Sequence, residues 1–414
     1  MLLGYRLVKD GLTMNKALRP LLLGAFLASA AIAQDYPTGA RDLTLPNTTG
    51  SGSSQLKVRV HYPATTNGWR TPLRPQAGGY PVLVFLHGLS ITGLMYGDLG
   101  RHFASRGYVI AVDITARLNM DLQAKNGHAL YPALVAENAR KGAFFEGDLD
   151  MKRAGLFGHS MGGGNTIRIL ASNPGYAAGF CYAPWDGFSK DYPERFSAKV
   201  KKPLGIVHGA GDAIVPWKGV GLRFYQLAGN VTGLRFFYLF DKTGTHTNVS
   251  GVLLITKQDR AVWQRTATIT TGFFDHHLGG PRDGLESVFG AGARGEPHLS
   301  QFIIDAETPA FWMTGTPAVG KTINLAVVGQ PKAAGVLAAA KRGSFPTPFG
   351  RLDLDPATLT VIGSGTAAAT QVFRQTLAIP ADPGLIGAKI PFQGVGTTKA
   401  GLRLTNSFTL RIQR

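Results

Sequence analysis

The sequence predicts an α/β fold, a doubly wound and mostly parallel sheet with helices on both faces, followed by an all-β sandwich. Patterns of buried strands alternate with helical periodicity from about residue 55 to 280, as in a parallel sheet joined by crossover helices. From about residue 305 the helical periodicity fades, and short alternating runs are separated by Gly/Pro turns. These observations predict two architectures in one chain.

The first part contains a series of predicted strands. The earliest, QLKVRVHYP, alternates apolar and polar residues with period two, which is typical of a strand. The later runs are mainly apolar throughout, as expected for parallel strands that are covered on both faces. They are YPVLVFLHG, YVIAVDI, RAGLFG, AAGFCYA, KPLGIVHG and LRFFYLF.

Helices are predicted between these strands. MYGDLGRHFASRG has helical periodicity and stops at Gly107, and residues 128–146 have a mostly helical pattern. The remaining predicted helices are MGGGNTIRILASN, GVGLRFYQLAG and AVWQRTATITTGFFDHHLGG, the last of which closes the unit. Residues 35–55 are rich in Thr, Gly and Ser and are predicted to be a polar leading segment.

The predicted boundaries divide the chain into a signal peptide (1–33), an α/β domain (34–280), a linker (281–304) and a β-sandwich accessory domain (305–414). The linker is glycine-rich, and it contains GGPRDGLESVFGAGARGEP. The sandwich contains no histidine or cysteine and its carboxylates are scattered, so no chemistry is predicted there.

The N-terminus has the pattern of a secretory signal. From Met14, the basic residues Lys16 and Arg19 precede an apolar stretch that ends in Ala-Ile-Ala before Gln34. The apolar stretch is short for a membrane span. We therefore expect a secreted or periplasmic protein without a transmembrane segment, with residues 1–13 as an over-extended start.

Composition narrows the functional classes. The formal net charge is +18, but charged residues make up only 16% of the chain and no long basic run occurs. This pattern favours dispersed surface charge over a dedicated anion-binding arm, and nothing resembles a nucleic-acid module. Cys181 is the only cysteine, which excludes an internal disulfide and a cysteine-based zinc site.

The segment FGHSMGGGN predicts a nucleophile at Ser160. A predicted strand precedes this serine and a predicted helix follows it, the layout of a strained strand-to-helix elbow. Gly158 and Gly162 remove side chains that would collide at such a turn. The helix N-terminus adds positive potential and free N–H groups beside the hydroxyl.

A serine nucleophile needs a base and an acid that orients the base. GIVHGAGDAIVPW supplies Asp212 in a loop after one predicted strand, and FYLFDKTGTHTNVSG supplies His246 after the next. The carboxyl ends of parallel strands meet at one edge of a sheet, so both side chains are expected near Ser160. The chain order of serine, acid and histidine also fits this layout.

Five other residues compete for these roles. Asp241 lies close before His246 and is expected to cap its loop, while Asp186 is a weaker alternative acid. His208 sits at a strand end and is expected to be structural. The last two competitors, His276 and His277, come late in the final helix, where cationic or solvated roles are common.

Acyl transfer also needs two donors for an oxyanion. The first is predicted to be the N–H of Met161, which follows the nucleophile. The second is predicted to be the N–H of Leu89, because His87 and Gly88 end an earlier buried strand.

At these residues the sequence resembles the cutinase-like polyester hydrolases, within the dienelactone hydrolase and platelet-activating-factor acetylhydrolase-like part of the α/β-hydrolases. PVLVFLHGLSITG, FASRGYVIAVDI, GHSMGGGN, YAPW, GAGDAIVP and THTNVSG carry the likeness over roughly 55–280. The resemblance implies the same triad and oxyanion donors, and it makes Trp185 a wall of the acyl site. The chain differs in carrying Leu89 where an aromatic residue is usual and in lacking a C-terminal disulfide.

Residues 305–414 resemble a β-sandwich module found at the C-termini of secreted bacterial proteins. TGTPAVGKTINLAVVGQP, TPFGRLDLDPATL, IPADPGLIGAKIPFQG and LRLTNSFTLRI carry this likeness. Polymer binding, sorting and a purely structural role remain open for this module.

The sequence therefore predicts a secreted serine carboxylic-ester hydrolase that needs no metal or organic cofactor. Leu89, Met161 and Trp185 are apolar, which favours hydrophobic or polymeric esters as substrates, with polyesters of the PET type among the candidates and an insoluble polymer surface as a candidate partner. A phospholipid or acylglycerol esterase is the alternative enzyme, and a non-catalytic binding protein is the alternative from another class.

Overall fold

The computed structural model describes residues 35–115, 118–189, 191–279, 284–290, 298–306, 309–367, 371–398 and 400–414. The predicted signal peptide (1–33) lies outside these residues. No helix among them is long and apolar enough to cross a membrane.

The first part of the chain forms a ten-stranded sheet. Its strands are β1 (Thr38–Pro46), β2 (Gln55–Pro63), β3 (Gly68–Trp69), β4 (Tyr80–Leu86), β5 (Val109–Asp113), β6 (Leu149–His159), β7 (Ala178–Tyr182), β8 (Leu204–Gly209), β9 (Leu234–Phe240) and β10 (Leu299–Ala306). Their order across the sheet is β10-β9-β8-β7-β6-β4-β5-β2-β1-β3. The strands from β4 to β9 are parallel, while β2 and β10 join the parallel block antiparallel at its two edges.

Helices cover both faces of the sheet, which confirms the predicted α/β-hydrolase architecture. They are α1 (Gly97–Ser105), α2 (Met120–Ala139), α3 (Met161–Leu170), α4 (Tyr192–Phe196), α5 (Leu222–Leu227), α6 (Lys257–Leu278) and α7 (Leu285–Phe289). On one face α1 and α6 bury side chains such as Phe103 and Phe273. On the other face α2, α3 and α5 bury side chains such as Leu130, Ile167 and Phe224.

Helix α2 begins eight residues before the predicted helix of residues 128–146 and ends seven residues before it. The Asn119 side chain caps the helix by accepting a hydrogen bond from the Leu122 amide. Glycine is needed at position 127 of this helix, because a β-carbon there would lie 2.5 Å from the Ile169 side chain. Close packing against α3 therefore outweighs the low helix propensity of glycine at this position.

The C-terminal part is all-β, as predicted, and its paired strands are antiparallel. Its strands are β11 (Ala310–Thr314), β12 (Thr322–Val328), β13 (Ala333–Ala338), β14 (Arg342–Thr347), β15 (Gly350–Leu354), β16 (Thr360–Thr366), β17 (Val372–Ala378), β18 (Lys389–Thr398) and β19 (Gly401–Arg411). They form the sheets β11-β12-β17 and β16-β13-β18-β19 and the hairpin β14-β15. Phe311, Leu325, Val336 and Phe392 lie in the core between the two larger sheets.

The segment predicted as a linker carries regular structure. It contains α7 and most of β10, and β10 pairs with β9 along the edge of the large sheet. The boundary predicted at residue 305 therefore falls inside a strand.

Helix α7 also packs against the C-terminal sheets. Trp312 on β11 is fully buried, and its ring centroid lies 6.3 Å from that of Phe289. The Trp312 indole N–H donates to Glu286 (3.0 Å), and Arg374 on β17 makes two 2.8 Å hydrogen bonds to the same carboxylate. The two architectures thus share buried apolar contacts and a bidentate ion pair.

Candidate active site

Ser160 lies on the sharp turn between β6 and α3. Its backbone has φ 54° and ψ −115°, a region that residues other than glycine rarely adopt. Such a conformation costs about 1–3 kcal/mol and persists where its surroundings hold it. Here the Ser160 N–H donates to the Tyr182 carbonyl (2.9 Å), and the Ser160 carbonyl accepts from the amides of Gly164 and Trp185 (3.0 and 2.9 Å).

The glycines around Ser160 provide space for close backbone contacts. A β-carbon on Gly162 would lie 2.0 Å from the Leu86 carbonyl oxygen, and one on Gly164 would lie 2.1 Å from the Trp185 carbonyl oxygen. A β-carbon on Gly158 would lie 2.4 Å from the Gly162 carbonyl oxygen. Real β-carbons do not approach oxygens this closely, so the turn requires glycine at all three positions.

Asp212 and His246 are in direct contact. The imidazole Nδ1 lies 2.7 Å from Asp212 Oδ2, and the other carboxylate oxygen accepts hydrogen bonds from the amides of Ile214 (2.9 Å) and Val215 (2.8 Å). Burial by itself raises the pKa of Asp212, but the hydrogen bond and charge of His246 outweigh it and hold this pKa below its ordinary value. The carboxylate therefore stays ionised and fixes the imidazole with Nε2 as its free nitrogen.

The competing residues occupy other positions. The Nδ1 atom of His208 is 3.8 Å from Asp212 Oδ2, but it accepts the Gly209 amide hydrogen at 3.0 Å. Asp241 accepts the Thr243 amide, and Asp186 accepts the Phe188 amide, so each caps its own turn.

His277 does not have the solvated, cationic role that is common near helix ends. It is half-buried, and its ring packs edge-on against Phe273 with centroids 4.6 Å apart. Burial, with a smaller effect from His276, holds its pKa well below the ordinary histidine value.

A cavity of about 210 Å³ lies in front of Ser160. Ser160 and His246 both line it, together with the predicted Leu89 and Trp185. The other lining residues are Gly88, Ile91, His159, Phe188, Ile214, Val215 and Thr247. The sequence predicted the Met161 side chain here as well, but that side chain is fully buried and is not among the lining residues.

The backbone amides around the cavity remain as predicted candidates for anion binding. Gly88 already donates its N–H to the Tyr96 hydroxyl (3.0 Å), and among the described residues no hydrogen bond engages the next amide, of Leu89. The Met161 amide is the first of α3 and therefore has no acceptor within the helix.

Together these groups have the parts that nucleophilic acyl transfer requires: a serine at a helix N-terminus, a carboxylate-bound imidazole and two amides. Within the described ranges, no group of three or more His, Cys, Asp or Glu side chains is placed to hold a metal ion.

Several lining residues were not predicted from the sequence. Phe188 follows Trp185 by three residues, and its ring meets the indole edge-on with centroids 4.8 Å apart. Ile214 follows Asp212 by two residues and is 68% exposed. Proximity to the predicted acid and wall residue is the signal that could have found them.

A family model described as PETase, PET hydrolase-like, matches residues 43–252. The match includes every predicted site residue, from Leu89 to His246. It confirms the resemblance to cutinase-like polyester hydrolases.

Individual relatives point the same way. The chain is 27% identical over 195 residues to the bis(hydroxyethyl) terephthalate hydrolase of Streptomyces coelicolor. The matched segment covers 47% of this chain and 57% of that relative. It is 27% identical over 187 residues to cutinase 1 of Thermobifida cellulosilytica, and this match covers 45% of this chain and 68% of the cutinase. It is 26% identical over 261 residues to cutinase cut1 of Thermobifida fusca, and this match covers 62% of this chain and 79% of the cutinase. The chain thus spans little more than half the length of the first of these relatives.

Proposed function

This chain belongs to the PET hydrolase-like family, and we propose that it is a serine carboxylic-ester hydrolase whose nucleophile, base and acid are Ser160, His246 and Asp212. The observation that carries the proposal is the 2.7 Å contact between His246 Nδ1 and Asp212 Oδ2, in a cavity that His246 shares with Ser160. The strained backbone of Ser160 supports it as well, because strain of this kind is concentrated at functional sites.

In the proposed reaction, His246 Nε2 takes the proton of Ser160 Oγ while this oxygen attacks the ester carbonyl carbon. The carbonyl π electrons move to the oxygen, and the Leu89 and Met161 amides stabilise the resulting charge. The C–O bond to the alcohol then breaks, and His246 gives its proton to the leaving oxygen. An acyl-serine ester remains on the enzyme.

Water completes the cycle. His246 takes one proton from a water molecule, whose oxygen attacks the acyl-serine carbonyl carbon, and the same proton returns to Ser160 Oγ as the acid leaves. The Asp212 carboxylate stays ionised throughout and stabilises the imidazolium that forms in each half-reaction.

Hydrophobic and polymeric esters are the substrates that we propose. Of the nine exposed large apolar residues that the structure describes between 35 and 279, seven lie in the connecting segments that follow β4, β5, β7, β8 and β9, at the edge of the sheet where Ser160 lies. They are Leu94, Met95, Leu118, Phe188, Ile214, Leu253 and Ile255. Exposed apolar surface of this kind marks binding sites. The names of the relatives, a terephthalate-ester hydrolase and cutinases, are consistent with such substrates. We further propose export from the cell, on the basis of the N-terminal sequence pattern.

A Ser160→Ala variant tests the proposal on the full chain. We expect a loss of at least about 10³-fold in turnover of a short nitrophenyl ester, a polyester film and an emulsified acylglycerol. Ser197→Ala is the matched control, because Ser197 is also buried but lies outside the cavity, and it should retain turnover. Equal rates for Ser160→Ala and wild type would overturn the proposal, while a preference for the emulsified lipid would favour the acylglycerol esterase.

A further inference from the structure

A series of hydrogen bonds runs along the wall of the candidate site, from Gly88 through Tyr96 and His159 to His246. The Gly88 N–H donates to the Tyr96 hydroxyl at 3.0 Å, and this hydroxyl lies 2.8 Å from His159 Nδ1. On the other side of the ring, His159 Nε2 lies 2.8 Å from the backbone carbonyl oxygen of His246. Tyr96 and His159 are both fully buried.

The acceptor groups in this series determine which partner donates in each hydrogen bond. The His246 carbonyl can only accept, so His159 Nε2 must carry a hydrogen. Burial, followed by the charge of His246, holds the pKa of His159 well below the ordinary histidine value, so the ring is neutral and carries a single N–H. His159 Nδ1 is therefore an acceptor, and the Tyr96 hydroxyl donates to it.

These bonds join the loops that carry the proposed chemistry. Gly88 precedes the amide of Leu89, and His159 precedes Ser160. The packing leaves little room for adjustment, since a β-carbon on Gly88 would lie 3.1 Å from His159 Nδ1. Tyr96 is held in turn by Phe85, with ring centroids 4.6 Å apart.

We propose that Tyr96 and His159 are positioning residues. Their hydrogen bonds, here called the relay, hold the backbone of Gly88 and Leu89 and the backbone of His246 in fixed positions relative to Ser160. The proposal rests on the function proposed above. Neither residue exchanges a proton with the substrate. Tyr96 fixes the tautomer of His159, and the N–H of that tautomer holds the backbone of the proposed base.

Tyr96→Phe removes one hydroxyl and keeps the ring. The buried Gly88 N–H then loses its acceptor, and His159 loses the donor that selects its tautomer. Displacements of about 1 Å at a catalytic group can cost 10²-fold, so we expect kcat to fall ~10- to 100-fold while KM stays within about twofold.

Two variants of His159 separate the halves of the relay. His159→Gln can still donate an amide N–H to the His246 carbonyl, whereas His159→Leu cannot. We therefore expect kcat to decrease in the order wild type, His159→Gln, His159→Leu. Equal kcat in the two variants would contradict a role for the donated hydrogen bond.

Tyr176→Phe is the matched control for a purely structural effect. Tyr176 is also fully buried, and its hydroxyl donates to the Gly127 carbonyl at 3.0 Å, away from the cavity. Tyr176→Phe and Tyr96→Phe should both lower the free energy of unfolding, but only the latter should lower kcat per titrated active site. A kcat for Tyr96→Phe within twofold of Tyr176→Phe would overturn the proposal.

The closing experiment is ¹⁵N NMR of the histidine side chains in the full chain, with His159 assigned from the His159→Gln spectrum. We expect a neutral ring protonated at Nε2 at pH 7.5 in the wild type, and a changed tautomer ratio in Tyr96→Phe. A ring protonated at Nδ1, or a ratio that Tyr96→Phe leaves unchanged, would overturn the relay. This readout needs no turnover, so it stands apart from the Ser160→Ala test of the proposed function.

Discussion

Replacing His102 by Gln is expected to make the fold less sensitive to acid. Burial, followed by the charge of Arg106, lowers the pKa of His102 to about 4. The pKa values of His61 and His208 are also lowered to about 4, mainly by burial. His102 Nε2 lies 2.8 Å from the Thr271 hydroxyl, and a glutamine amide can make a similar bond without titrating.

The size of the effect follows from the difference between the folded and unfolded pKa values. An unfolded histidine takes up a proton below about pH 6.5, whereas these three stay neutral in the folded state down to about pH 4. Between these values the unfolded chain binds more protons, so the free energy of unfolding falls as the pH falls. At pH 5 each histidine contributes a loss of about 2 kcal/mol. Three such losses, about 6 kcal/mol, are comparable to the whole stability of a typical domain.

Urea unfolding at pH 7.5 and pH 5.0 measures this effect. We expect the wild type to lose about 6 kcal/mol or more between the two values, and His102→Gln to lose about 2 kcal/mol less. The free energy of unfolding should therefore fall less between pH 7.5 and pH 5.0 in the variant than in the wild type. If both proteins lose the same free energy, His102 is not held neutral in the folded state and the reasoning is refuted.

Three further predictions concern the triad, the elbow and the contact between the two parts of the chain. Asp212→Asn should lower kcat by ~10³–10⁴-fold with little change in KM, because an amide cannot hold the imidazole in the required tautomer; an unchanged kcat in steady-state assays would exclude Asp212 as the acid. Gly162→Ala should lose about 3 kcal/mol or more in urea unfolding, because its β-carbon would overlap the Leu86 carbonyl. Gly219→Ala, with nothing within 4 Å, should change stability little, and an equal loss in both would contradict the packing argument. Glu286→Gln should cost about 0.5–1 kcal/mol at low salt and less at 1 M NaCl, since it loses a half-exposed bidentate ion pair; a cost that does not depend on salt would argue against it.

The parallel strands and the elbow could be predicted because their signals are local. LRFFYLF forms β9 over its whole length, and QLKVRVHYP forms β2. Ser160 was predicted from the strand before it and the helix after it, and both lie next to it in the chain. The chain order of Asp212 and His246 then placed them at the same sheet edge, which matches their 2.7 Å contact.

Elements defined by distant partners could not be predicted. Residues 38–46 have a polar composition, yet β1 pairs with β2 along its whole length, from Thr38 opposite Pro63 to Pro46 opposite Gln55. Strand β10 follows a glycine-rich segment and completes the large sheet beside β9. In both cases the pairing partner, and not the local apolar pattern, determines the strand.

The hydrogen bonds of Tyr96 and His159 could not be predicted from the sequence for the same reason. Tyr96 is 63 residues from His159, and the histidine meets the His246 carbonyl 87 residues later. Sequence spacing carries no information about such contacts, whereas the glycines of the elbow are adjacent to the serine that they serve.

Covalent trapping tests the central claim most directly. The full chain would be incubated with a nitrophenyl alkylphosphonate, which phosphonylates an activated serine, then digested and analysed by mass spectrometry while residual ester turnover is followed. We expect one phosphonyl group per chain, on the peptide that contains Ser160, and turnover that is lost in proportion to labelling. Full ester turnover with Ser160 unlabelled, or stoichiometric labelling of another residue, would contradict the account.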